Sequence, residues 1–170
     1  MLISLSTTYQ AQDDVIRRLL RAVEDLPIHV VVTLGYSIGP DRFSAPANAK
    51  LVPFVPHQRI LPHTALAITH GGHGTVLGAL SYGVPLVCMP MGRDQGDVAA
   101  RVVWLGAGVR ISQKATPKAL RSAIVRVLND SRYRDNARTA ASNMAQKNEP
   151  ARALPELEAL MLERTGANVR

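Results

Sequence analysis

The stretch from Ala65 to Asp97 constrains the fold of this chain more than any other. It predicts a buried strand that ends at Thr69, a glycine-rich turn, a helix that ends near Ser81 and a second buried strand over 84–89. Because two strands joined through a helix run parallel, the turn should lie at the carboxyl edge of a parallel sheet. The first N–H groups of the helix have no partner within the helix and carry positive partial charge. The stretch therefore predicts an anion site, with a phosphate or diphosphate as its natural occupant.

The rest of the chain continues the alternation of strand and helix. Apolar runs predict further strands over 1–5, 28–34, 51–55 and 109–111. Helical periodicity predicts helices around 15–23, over 95–105, from 117, over 131–147 and from 155, with Ser131 as the cap of the fourth. This pattern indicates one α/β domain over residues 1–170, with a Rossmann-like parallel sheet of about six strands flanked by helices. A strand that begins at the first residue suggests that the segment continues a longer protein.

Charge and apolar content exclude several classes of protein. The net charge of +7 comes entirely from residues 101–170, which hold 13 Lys and Arg against 6 Asp and Glu. These charges fall singly along predicted helices without interleaved aromatic residues, so we interpret them as solvated helix faces and not as a nucleic-acid surface. A surface for another anionic partner is the alternative. No apolar run approaches the roughly 20 residues that cross a bilayer, and no signal peptide is recognisable. The single cysteine, Cys88, lies in an apolar strand, so we expect a buried, unpaired thiol. Together these features favour a soluble cytoplasmic protein.

A set of ordered motifs resembles the C-terminal, donor-binding domain of GT-B glycosyltransferases of the UDP-glycosyltransferase superfamily, and most closely the bacterial antibiotic and macrolide transferases. The motifs, in chain order, are Pro56-His57, the loop from His70 to Thr75, Gly83-Val84-Pro85 and Asp94-Gln95. A single glycine-rich loop would be a weak indication, but four motifs at the family's spacing are specific.

The resemblance implies a role for each group of residues toward a sugar nucleotide. The residues implied for the diphosphate are Ser6, Thr7, His70, Gly72, Gly74 and Thr75. Those implied for the base are Phe54 as the stacking ring, the Val55 backbone and His57. Those implied for the sugar hydroxyls are Asp94 and Gln95. The activity implied is metal-independent, inverting transfer of a sugar from a UDP- or dTDP-sugar to a hydroxyl of a small molecule, with no cofactor besides the donor.

Two departures from the family pattern qualify this implication. Many members carry a ribose-binding glutamate eight residues after the motif histidine, where this chain has Gly78, which favours a deoxyribose donor such as a dTDP-sugar. The family's general base lies in an N-terminal acceptor domain that these 170 residues do not include. No catalytic residue is therefore assigned, and the chain alone is expected to bind nucleotide without transferring sugar.

Several alternatives remain open on sequence alone. His70 could be a structural histidine, Phe54 could belong to the core, and Asp94 could serve only as a helix cap. The histidines at 57, 63, 70 and 73 could hold zinc. The chain could also be one subunit of a split transferase, part of a sugar-nucleotide epimerase that uses Asp94, or a nucleotide-binding module without catalysis.

Overall fold

The computed structural model describes residues 1–5, 12–146, 154–155 and 157–161. Ser6 and Thr7, which the sequence assigned to the diphosphate, lie outside the described residues. Among the described residues, no helix has both the length and the apolar character that crossing a bilayer requires.

Six parallel strands form one sheet in the order β3-β2-β1-β4-β5-β6. The strands are β1 (Leu2–Ser4), β2 (Val30–Thr33), β3 (Ala49–Val52), β4 (Ala67–Thr69), β5 (Leu86–Cys88) and β6 (Gly108–Arg110). The helices are α1 (Asp13–Val23), α2 (His57–Ile60), α3 (His73–Ser81), α4 (Gln95–Trp104), α5 (Pro117–Asn129) and α6 (Ser131–Gln146). Single 3-10 turns occur at Pro40–Arg42 and Leu61–His63. The predicted α/β class, strand count and parallel arrangement are confirmed.

Helices cover both faces of the sheet because successive strand residues point to opposite sides. Ile3 of β1 packs with Leu19 of α1 and Leu120 of α5, whereas Leu2 packs with Val76 of α3 and Val102 of α4. Both strand residues are fully buried, and a buried Leu or Ile side chain contributes about 1.5–3 kcal/mol. The central strands are therefore apolar on both faces, so polar groups that bind a ligand must lie at the ends of the strands.

The order of the strands reverses beside β1. The chain proceeds from β1 to β2 and β3 on one side, then crosses to β4 and continues to β5 and β6 on the other. Such a switch point opens a crevice between the two outgoing loops at the carboxyl ends of the strands, where open α/β sheets bind their ligands. In this chain the crevice lies at the carboxyl ends of β1 and β4.

Three local assignments from sequence are corrected by the structure. The strand expected over 51–55 ends at Val52, because Pro53 has no N–H for the ladder. Gly108 does not terminate α4 but begins β6, packed against the Leu86 carbonyl. The cap at the start of α6 is Asp130 and not Ser131, since the Asp130 carboxylate accepts from the Arg132 N–H at 3.1 Å.

The expectation of a buried cysteine is confirmed. Cys88 is unpaired and fully enclosed in β5. Burial raises the pKa of its thiol to about 12. Because the thiolate is the reactive form, Cys88 is an inert packing residue.

Candidate functional site

The loop after β4 delivers the chain into the amino end of α3. His70 follows the last strand residue, and Gly72 takes an extended conformation at the N-cap with φ −62° and ψ 133°. The first helical hydrogen bond runs from the Val76 N–H to the Gly72 carbonyl at 3.0 Å, and no side chain caps this helix end. The N–H groups of residues 73–75 precede that bond, and His73 and Gly74 are exposed. The positive end of α3 is thus open to the crevice.

The His70 imidazole lies directly over this helix end. A Cβ built on Gly72 would be only 2.5 Å from His70 Nε2, so Gly72 leaves the space that the ring occupies. The other ring nitrogen, Nδ1, is buried and has no hydrogen-bond partner among the described residues. Buried polar atoms without a partner are rare in folded proteins and require an explanation. The His70 ring therefore lies against the amino end of α3 and has one hydrogen-bonding nitrogen without a partner among the described residues.

Burial also sets the charge of His70. Desolvation lowers the pKa of the imidazole, and the nearby Asp94 carboxylate partly opposes this effect. The ring is consequently neutral at neutral pH in the absence of a ligand. Asp94, at the start of α4, is therefore close enough for its charge to act on the His70 ring.

The glycines of this loop serve different purposes. Gly71 has φ +89°, and a Cβ there would lie 3.1 Å from the Gln95 carbonyl oxygen, so the fold itself requires glycine. A Cβ on Gly74 would meet no atom within 4 Å. Since packing does not demand glycine at 74, the open space there is available to a ligand that approaches the backbone.

Asp94 and Gln95 have distinct environments at the start of α4. The Asp94 side chain is exposed and makes no capping hydrogen bond, so the alternative that it serves only as a helix cap is not supported. Gln95 is buried, and its Oε1 accepts from the N–H groups of Met91 at 2.8 Å and Gly92 at 3.1 Å. The Gln95 oxygen thus holds the loop that precedes α4.

Ser4 and His57 meet at the end of β1. The Ser4 hydroxyl lies 3.2 Å from His57 Nε2, and burial lowers the pKa of this histidine. The contact places His57, the first residue of α2, at the carboxyl end of β1, next to the crevice. Sequence reasoning missed Ser4. The one signal for it was a small residue with a hydroxyl group in an otherwise apolar strand.

Phe54 lies at the outer edge of the same surface. It is 58% exposed, which excludes the alternative that it belongs to the core. Its ring stacks on Tyr36, with ring centroids 6.1 Å apart and planes 23° from parallel. The following Val55 is half-buried. Sequence reasoning did not identify Tyr36. The signal for it was its place in the loop after β2, next to Gly35.

The implied residues are thus arranged along one edge of the sheet. His70, Gly72, Gly74 and Thr75 are at the middle, Asp94 and Gln95 are beyond β5, and Phe54 and Val55 follow β3. In the part of the chain that the structure describes, no three His, Cys, Asp or Glu side chains are grouped to hold a metal ion. The histidines at 57, 63, 70 and 73 therefore do not form the zinc cluster considered above.

Comparison with known proteins identifies the family. Residues 17–160 match the family described as "Erythromycin biosynthesis protein CIII-like, C-terminal domain". This chain belongs to that family. The resemblance noted from the motifs is thereby confirmed, and the CIII-like domain is the C-terminal domain of glycosyltransferases.

Individual relatives agree with this assignment. This chain is 33% identical over 151 residues to 4'-demethylrebeccamycin synthase of Lentzea aerocolonigenes, an alignment that covers 88% of this chain and 36% of that enzyme. The structure of CalG4, the calicheamicin glycosyltransferase, matches with a TM-score of 0.85 and 32% identity over 93% of this chain and 41% of that one. Glycosyltransferase VinC in complex with dTDP matches with a TM-score of 0.71 and 27% identity over 83% of this chain and 36% of that one. This chain thus spans less than half the length of these proteins.

Proposed function

We propose that this chain binds the sugar nucleotide of an inverting, metal-independent glycosyltransferase that transfers a sugar from a UDP- or dTDP-sugar to a hydroxyl of a small-molecule acceptor. The observation that carries the proposal is the open amino end of α3 beneath an imidazole whose buried Nδ1 has no partner. An acceptor-binding domain, in the same polypeptide or in a separate subunit, would supply the general base that deprotonates the acceptor.

The diphosphate would lie against the amino end of α3. Backbone N–H groups at Gly74 and Thr75, the Thr75 hydroxyl and a ring nitrogen of His70 would donate to its oxygens. Hydrogen bonds to a charged group contribute about 1.5–3 kcal/mol each, and the helix end adds about 0.3–1 kcal/mol, or up to 2 when partly buried. Two or three such bonds with the helix end are enough for micromolar affinity without a metal ion. The same groups would stabilise the departing nucleoside diphosphate as negative charge develops on it.

Polar groups at α4 would hold the sugar. The exposed Asp94 carboxylate can accept from sugar hydroxyls, and the Gln95 amide nitrogen can donate to them. On the ribose side, a side chain at Gly78 would begin 3.7 Å from a Leu61 methyl group, and no carboxylate is present there. The absence of that carboxylate and the dTDP in the VinC complex both favour a dTDP-sugar as donor.

The affinity of a histidine variant tests this proposal. We expect His70→Ala to weaken binding of UDP and dTDP at least about tenfold, because one hydrogen bond to a charged group is lost. His63→Ala is the matched control, since His63 is exposed and precedes β4, at the opposite edge of the sheet. Titration calorimetry of both variants with each nucleotide measures these affinities. Equal affinities for His70→Ala and the control would contradict the diphosphate site.

Donor affinity should also depend on pH through the same histidine. Burial holds the pKa of free His70 below its usual value, and a bound diphosphate raises the pKa by attracting the proton. Between these two pKa values the complex binds more protons than the free chain, so affinity for UDP-glucose should increase as pH falls from about 8 toward 6. His70→Gln should remove this dependence while His57 still titrates. A dependence that persists in His70→Gln would assign it to another group.

A further inference from the structure

Resting on the proposed function, we propose that Tyr36 and Phe54 together form the surface on which the donor's nucleobase stacks, with Tyr36 as a second base-binding residue.

The two rings come from neighbouring strands that are held in register beyond the end of the ladder. The Leu34 N–H donates to the Val52 carbonyl at 3.0 Å, and the Gly35 N–H donates to the Pro53 carbonyl at 2.9 Å. Gly35 has φ +77°, which turns the chain sharply after β2. These bonds fix the Tyr36 and Phe54 backbones side by side, so their stacking is built into the sheet edge.

Exposure shows that the pair offers an open aromatic face. Tyr36 is 84% exposed and Phe54 is 58% exposed. Both rings carry a large apolar area, which folded proteins usually bury. Their mutual stacking covers one side of each ring and leaves the remaining faces in solvent. A planar, weakly polar group that lies against such a face is held by stacking, which every nucleobase can do.

Position along the sheet favours the nucleobase over the other parts of the donor. The rings follow β2 and β3, whereas the anion site follows β4 and the sugar-binding residues follow β5. At about 4.8 Å per strand, β3 lies roughly 14 Å from β4. A diphosphate at α3 with its sugar toward Asp94 directs the nucleoside in the opposite direction, toward the rings.

Binding of three probes to matched variants tests the proposal. UDP and dTDP are titrated into the chain with Tyr36→Ala, Tyr36→Phe, Phe54→Ala or Trp104→Ala, and inorganic pyrophosphate is measured by competition with UDP. Trp104 is the matched control because it is 82% exposed but lies at the far end of α4. Tyr36→Ala should weaken both nucleotides roughly fivefold or more and leave pyrophosphate unchanged. Tyr36→Phe should bind within about twofold of the original chain, since the ring face and not the hydroxyl makes the contact.

The outcomes distinguish a failure of the nucleobase surface from a failure of the proposed function. If Phe54→Ala and His70→Ala weaken the nucleotides while Tyr36→Ala matches Trp104→Ala, the role of Tyr36 is wrong and the sugar-nucleotide site stands. If Tyr36→Ala weakens pyrophosphate as much as UDP, the residue does not act on the base, and the proposal is wrong. If His70→Ala has no effect on any probe, the proposed function fails, and the nucleobase surface fails with it.

Discussion

Replacement of Gly108 by alanine should lower the free energy of unfolding by about 3 kcal/mol or more. A Cβ on Gly108 would lie 2.1 Å from the Leu86 carbonyl oxygen and 2.9 Å from Val102 Cγ1. The carbonyl belongs to β5, which pairs with β4 and β6, so it cannot move away without disturbing the pairing of β5 with its neighbours. Overpacking a well-filled interior costs about 1–3 kcal/mol, and contact with a fixed backbone places this substitution at or above the upper end.

Urea unfolding followed by circular dichroism measures this effect. Gly39→Ala is the control, because a Cβ there meets no atom within 4 Å and its φ of −70° suits alanine. We expect the control to change stability by no more than about 0.5 kcal/mol. If the two variants unfolded at the same urea concentration, the close packing of Gly108 against the Leu86 carbonyl would be contradicted.

Gly72→Ala should reduce nucleotide affinity about tenfold or more while leaving the fold nearly as stable as before. The backbone at Gly72, with φ −62° and ψ 133°, is allowed for alanine. The new methyl group would instead meet His70 at 2.5 Å from Nε2 and 2.8 Å from Cε1. An imidazole can swing aside at little cost to folding, but it then leaves the amino end of α3. The expected loss of affinity equals that of His70→Ala, since both variants remove the same hydrogen bond.

Calorimetry with dTDP and thermal unfolding together distinguish this effect from misfolding. Gly39→Ala again serves as the control, because a Cβ there meets no atom within 4 Å. The combination of Gly72→Ala with His70→Ala should bind no more weakly than either variant alone, because the two substitutions act on one interaction. Additive losses would show that Gly72 contributes to binding independently of His70.

The fold was predictable because its determinants are local in the sequence. Continuous apolar runs such as 84–89 mark strands buried on both faces, and the 3.6-residue period of Val15, Leu19 and Val23 marks a helix with one buried face. Their alternation leaves few topologies other than a parallel sheet between helix layers. The implied residues around His70 were placed at one edge of the sheet for the same reason.

Contacts between distant residues were not predictable in this way. Ser4 and His57 are 53 residues apart, and only the register of the finished sheet brings them together. The stacking of Tyr36 on Phe54 likewise depends on pairing between β2 and β3. Gly108 was misplaced because a glycine after a helix usually ends it, and the close approach of the Leu86 carbonyl is a feature of packing alone.

The central claim is that the amino end of α3 and His70 hold the diphosphate of a sugar nucleotide. A crystal structure of the chain soaked with dTDP tests it most directly. We expect diphosphate oxygens within about 3 Å of the N–H groups of Gly74 and Thr75 and of a His70 ring nitrogen. A dTDP molecule bound elsewhere, with this helix end empty or closed by side chains, would contradict the account.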